Sequence, residues 1–125
     1  MNHRRLARVF AFETIYADTF SEEIVEDAVL DTTNMQGKAN QFAEQLIAGV
    51  RNEKEQLDAA LQEFSPKRKM ERFPKVELTI LRMAAWELLH PQEDTPAKIV
   101  INEAVLLAKE FGGETSYKYI NAILH

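Results

Sequence analysis

Apolar positions along this chain recur at helical spacing, and polar breaks divide them into blocks. The last fifty residues show this most plainly. VELTILRMAAWELL (76–89), PAKIVINEAVLLAKEFGG (96–113) and ETSYKYINAILH (114–125) are three apolar-striped segments joined by short polar stretches. Gly37, Gly49, Gly112 and Gly113, with Pro66, Pro74, Pro91 and Pro96, punctuate the rest. Between these marks the pattern predicts helices near 3–18, 21–30, 36–50, 51–64, 75–90, 98–111 and 115–124. No run alternates cleanly at the two-residue period of a strand. The expectation is an all-α bundle of about seven helices in one domain, 1–125. The basic, proline-broken stretch SPKRKMERFP (65–74) reads as the link between an N-terminal and a C-terminal helical half that share one core.

The 75–90 segment is apolar on nearly every side, with Glu77, Thr79, Arg82 and Glu87 as its polar interior positions. Such a helix belongs at the centre of a bundle. A buried arginine there needs a counter-charge, and Glu103, one helix later, is the expected partner of Arg82. In the last helix, Tyr117, Ile120 and Leu124 form the inward stripe at 100° per residue, with Tyr119 at its edge and Thr115 and Lys118 outside it. In the first helix, Leu6, Val9, Phe10 and Tyr16 are expected on the stripe opposite the arginines.

Composition narrows the class. At 125 residues, with 46% apolar and 28% charged residues, the chain is globular. It has no cysteine, which excludes disulfides and thiolate sites and fits a reducing, cytoplasmic setting. The N-terminus lacks the apolar run of a signal peptide, and no segment is long and apolar enough to span a membrane. A net charge of −5 argues against wholesale nucleic-acid binding but leaves room for a local basic patch. Charge is unevenly placed: Arg4, Arg5 and Arg8 stand against Glu13 in the first sixteen residues, and an acidic stretch, 17–31, follows.

No enzymatic constellation emerges. Glu87 and His90 have the Glu-x-x-His spacing of carboxylate di-iron bundles, but such sites need a second pair and two more glutamates. His90 just before Pro91 is better read as a cationic helix end. There is no glycine-rich phosphate loop, and Ser21, Ser65 and Ser116 have no triad context. The expectation is a non-enzyme without metal or cofactor. Arg4, Arg5 and Arg8 share one helical face and oppose the helix dipole, which suits an anion; a solvated helix end would look the same. A half-exposed Tyr119 beside Lys118 could stack an unpaired base while the lysine meets phosphate; a tyrosine along the bundle rim is the alternative. Together the two ends suggest a small, salt-sensitive patch for single-stranded RNA.

These residues also carry a resemblance. ILRMAAWEL, P-A-K-I-V-I-N-E-A-V-L-L-A-K-E-F-G and S-Y-K-Y-I-N-A-I-L, with Arg4, Ala7, Arg8, Ala11, Ile15 and Tyr16 at the start and Leu46, Gly49 and Val50 in the middle, resemble the NusB family of transcription antitermination factors. The likeness runs through the whole chain and is most specific in its second half. It departs at Ala122-Ile123-Leu124-His125, where the family usually has Gly-Val-Leu-Asp. The resemblance implies two three-helix halves, a partner in the small-subunit ribosomal protein called NusE, and boxA RNA of ribosomal RNA leaders as ligand. Together these would help RNA polymerase pass terminators and so promote rRNA transcription. It places Arg4, Arg5, Arg8, Thr115, Lys118 and Tyr119 on the RNA side, and Tyr16, Trp86 and Glu87 near NusE. Tyr119→Ala and Arg8→Ala are each expected to weaken the ternary complex with little change in melting temperature. An adaptor of the same fold that binds only protein is the competing reading. A third, the helical domain of some rRNA cytosine methyltransferases, needs a catalytic domain beyond these residues. The partner surface of such a bundle could also support a homodimer.

Overall fold

The computed structural model describes residues 3–20, 38–65, 68–92, 95–113 and 116–124. Within them the chain forms five α-helices: α1 (His3–Asp18), α2 (Lys38–Glu63), α3 (Lys75–Leu89), α4 (Ala97–Phe111) and α5 (Ser116–Leu124). A 3-10 turn at Met70–Arg72 precedes α3. Among the described residues there is no strand, only an isolated bridge between Gln92 and Thr95 in the α3–α4 connection. The expected helix at 21–30 lies outside the described residues.

Helix α3 is the axis. Pro74 supplies a fixed φ at its entrance, and its carbonyl accepts the Leu78 N–H at 2.9 Å. Glu77 in the first turn suits the positive end of the helix dipole. Every residue from Glu77 to Glu87 is buried, and α3 touches each of the other four helices. The all-round apolar pattern of this segment thus has its physical reason. Leu46 and Leu57 of α2, Ile80, Leu81 and Met83 of α3, and Ile120 of α5 are the largest apolar side chains wholly inside.

The structure corrects three expectations. The segments expected at 36–50 and 51–64 run on as Lys38–Glu63, and the break between them is a kink at Glu53 (φ −110°, ψ 17°) rather than at Gly49. Gly49 is there for contact: a Cβ would lie 2.0 Å from Trp86 Nε1 and 2.2 Å from Cε2, so the missing side chain lets the indole lie against α2. Arg82 is buried, but it makes a two-pronged ion pair with Asp58 of α2 (2.7 and 2.9 Å), not with Glu103. The α2 helix covers that side of α3, whereas Glu103 faces α1. In α1, Leu6, Val9, Phe10 and Tyr16 are only half-buried, while Ala7, Arg8, Ala11, Phe12, Thr14 and Ile15 are buried. Steps of four, three and four residues line up Arg4, Arg8, Ala11 and Ile15, so the arginine face is largely the packed face.

Candidate functional site

The three N-terminal arginines are held close to the protein. Arg8 is 3% exposed and grips Glu87 of α3 with both forks, at 3.0 and 2.8 Å. Arg5 does the same to Glu103 of α4, at 3.1 and 2.9 Å, but leaves about half of its side chain (51%) in solvent. The hydrogen bonds and charge of Glu103 raise the Arg5 pKa further. Arg4 bonds the Thr95 hydroxyl, and its guanidinium and that of Arg8 lie 5.1 and 5.2 Å from the Phe42 ring centre. The charges of Arg5 and Arg8 are therefore matched by carboxylates. Arg5 keeps donors free for an anion; Arg8 has its charge turned inward.

Trp86 and Glu87 are also spent internally. The Trp86 indole N–H donates to Glu53 Oε2 at 3.0 Å, and His90 Nε2 donates to Glu53 Oε1 at 2.9 Å. The Trp86 and His90 rings lie 4.9 Å apart. The hydrogen bond from His90, with help from Trp86 and the charge of His90, holds the Glu53 carboxyl below the usual carboxylate range against a smaller effect of burial. Glu53, the kinked residue of α2, so clamps the end of α3. Glu87 and His90, the pair with metal-site spacing, turn to Arg8 and Glu53 respectively. No cluster of three metal-ligating side chains exists among the described residues. Tyr16 is half-buried, stacked on Phe12 at 5.6 Å and edge-on to Phe20 at 4.9 Å.

Tyr119 and Lys118 are exposed, Tyr119 by 49%, while Ile120 is fully buried and Tyr117 and Leu124 half-buried. Thr115 lies outside the described residues. The α4–α5 turn that sets α5 is tight: Gly112 donates to Ala108, and a Cβ on Gly112 would come within 2.6 Å of the Ala108 carbonyl and 2.7 Å of Ser116 Cβ. Arg5 meets Glu103 and Phe12 stacks on Phe111 (4.7 Å), so α1 and α4 run in the same direction. The arginines therefore gather near the start of α4, whereas α5 begins beyond its far end. At 1.5 Å per residue, Glu103, the partner of Arg5, lies about 12 Å along α4 from Phe111.

Two features had no weight in the sequence reading. Arg68, in the basic link, lies with its guanidinium 4.7 Å from the Phe73 ring centre and 5.8 Å from that of Tyr119. At another rim, Ala60, Leu61, Phe64, Ala85, Leu88, Leu89, Ile123 and Leu124 line an apolar groove of about 240 Å³, with Phe64 67% and Leu89 56% exposed. The signal for the groove was Leu88-Leu89, two leucines at the end of a helix already apolar on its other sides.

The chain is an all-helical module whose polar chemistry lies on its rim and in buried ion pairs. Among the described residues no helix is long and apolar enough to cross a membrane. It belongs to the NusB family, whose sequence model matches residues 5–125. It is 36% identical over 122 residues to a transcription antitermination protein NusB of Bacillus mycoides, covering 97% of this chain and 93% of that one. It is 37% identical over 130 residues to the NusB of Oleidesulfovibrio alaskensis, covering 97% and 84%. Its fold matches a crystal form of T. maritima NusB with a TM-score of 0.87 at 30% identity, over 97% of this chain and 87% of that one. It also matches a structure of antitermination factors NusB and NusE in complex with dsRNA, with a TM-score of 0.82 at 27% identity, over 99% and 94%.

Proposed function

We propose that this protein is a non-enzymatic transcription antitermination factor that binds boxA RNA of ribosomal RNA leaders together with NusE. The observation that carries the reading is the end-to-end match to the NusB family, together with the fold shared with NusB in the NusB–NusE–dsRNA complex. The surface chemistry supports it. Tyr119 offers a half-exposed ring beside Lys118, and Arg5 has unused donors. The apolar groove around Leu89 supports a protein partner at that rim. In this reading Arg5, Lys118, Tyr119 and Thr115 act on RNA directly and Arg4 beside them, while Arg8 acts by fixing α1. Tyr16, Trp86 and Glu87 shape the partner side from within rather than presenting their own polar atoms.

The finer architecture belongs to the same proposal: about seven helices in two three-helix halves, with the kink at Glu53 dividing α2 and the segment 21–30 supplying a further helix. So do the cytoplasmic setting, the place in the polymerase antitermination complex, and a homodimer that NusE would displace. The test is a titration of labelled boxA RNA with the protein alone and with NusE, at two salt concentrations. The expected result is a tighter, salt-sensitive complex when NusE is present. RNA affinity unchanged by NusE would overturn the RNA reading and favour an adaptor that binds only protein.

A further inference from the structure

The segment 65–75 looks like a linker, yet its described residues, 65 and 68–75, are firmly held. Gln62, near the end of α2, donates from Nε2 to the carbonyls of Ser65 (2.7 Å) and Arg68 (2.9 Å), and its Oε1 accepts the Met70 N–H at 2.9 Å. The Ser65 hydroxyl adds a bond to the Arg68 carbonyl at 3.2 Å. One glutamine side chain thus fixes three backbone positions of the loop, and Phe73, 6% exposed, anchors its far end in the core. The loop holds Arg68 in place between two aromatic rings, Phe73 and Tyr119.

Charge is the second observation. Residues 65–75 contain Lys67, Arg68, Lys69, Arg72 and Lys75 against Glu71 alone. Among the described residues, Arg68, Lys69, Arg72 and Lys118 make no ion pair with a carboxylate, whereas Arg5 and Arg8 are both so matched. Arg68, the guanidinium that lies near the Tyr119 ring, is therefore a cation without a carboxylate partner, on an acidic chain. An exposed aromatic ring with a guanidinium near it and an exposed lysine next to it in the helix offers what a single strand requires: a flat face for a base and donors for its phosphates. An arginine suits this place better than a lysine because its planar group stacks while still donating.

We propose that Arg68, with Lys69 and Arg72, forms a second RNA-contacting element. Arg68 stiffens Tyr119 as a stacking platform and meets the adjoining phosphate, and Gln62 acts as the positioning residue of the loop. This rests on the RNA reading above and extends the RNA surface from α1 and α5 to the α2–α3 loop. The test measures binding of labelled single-stranded boxA RNA, in the presence of NusE, to the wild type, Arg68→Ala and Arg68→Lys across a salt series. Arg68→Ala is expected to weaken binding about tenfold, within the range found for losing one stacked base. It should also flatten the plot of log affinity against log salt by about 0.7, the contribution of one phosphate contact on a single strand. Arg68→Lys should keep the wild-type salt slope but not the wild-type affinity. Melting temperatures check that both variants fold. A wild type that binds RNA while both variants match it in affinity and slope would overturn this inference alone. A wild type that binds no RNA would overturn the reading beneath it as well.

Discussion

Removing Arg8 should unfold this protein more readily than any other single change to its basic residues. Its guanidinium and the Glu87 carboxylate are 3% and 7% exposed and joined by two hydrogen bonds, and the Phe42 ring lies beneath the arginine. Arg8→Ala leaves the Glu87 charge buried without its partner, on a helix that touches each of the other four described helices. Breaking a buried pair in this way costs about 3–5 kcal/mol. At about 3–5 °C per kcal/mol for a domain of this size, the melting temperature should fall by about 10–20 °C. The assay is thermal and urea denaturation followed by helical circular dichroism. The double variant Arg8→Met, Glu87→Leu removes both charges and fills the space, so it should recover most of the loss. A single variant within about 2 °C of the wild type would refute the reasoning, because it would mean that Glu87 finds water or another donor at little cost. The structure thereby reverses the expectation, drawn from the sequence, that Arg8→Ala spares stability. An RNA-binding defect in that variant would have to be measured well below its melting temperature before it could be assigned to contact.

The same expectation holds for Tyr119, whose ring is half in solvent: Tyr119→Ala should shift the melting temperature little and weaken RNA binding by about 1–3 kcal/mol in a filter or anisotropy assay. A large stability loss would show that the ring is a packing element. Gly49→Ala should destabilise by about 1–3 kcal/mol or more, because the new methyl must displace the indole of Trp86; the change should appear in the emission of Trp86, the chain's single tryptophan, and an unchanged spectrum would contradict the close approach. The Glu53 clamp is sensitive to acid. The folded-state pKa of Glu53 is lowered, so its contribution is present above the ordinary carboxylate value and is lost as pH falls through the folded one. Trp86 emission should therefore change in a step below the ordinary carboxylate range, and Glu53→Gln, which keeps an acceptor for the indole but not the ion pair with His90, should remove that step. Persistence of the step in Glu53→Gln would assign it to another carboxylate.

The comparison of sequence with structure turns on range. Helical spacing, proline and glycine placement, and the uniformly apolar 76–89 segment determined an all-helical chain with α3 at its centre, because these are local properties of one helix and its solvent. The inward stripe of α5 was legible for the same reason: Ile120 is buried and Lys118 exposed as the 100° rotation requires. Charge pairing was not legible. Nothing in the order of residues says that Arg82 would meet Asp58 across 24 positions, or Arg8 meet Glu87 across 79, since each depends on which helix lies alongside. Nor could the sequence show that Gly49 makes room for an indole, that Glu53 bends α2 to reach Trp86 and His90, or that a basic linker would be pinned by Gln62 against Tyr119. Periodicity fixes which face of a helix is apolar. Only packing decides what that face meets, and so which charges are consumed inside the protein and which remain for a ligand.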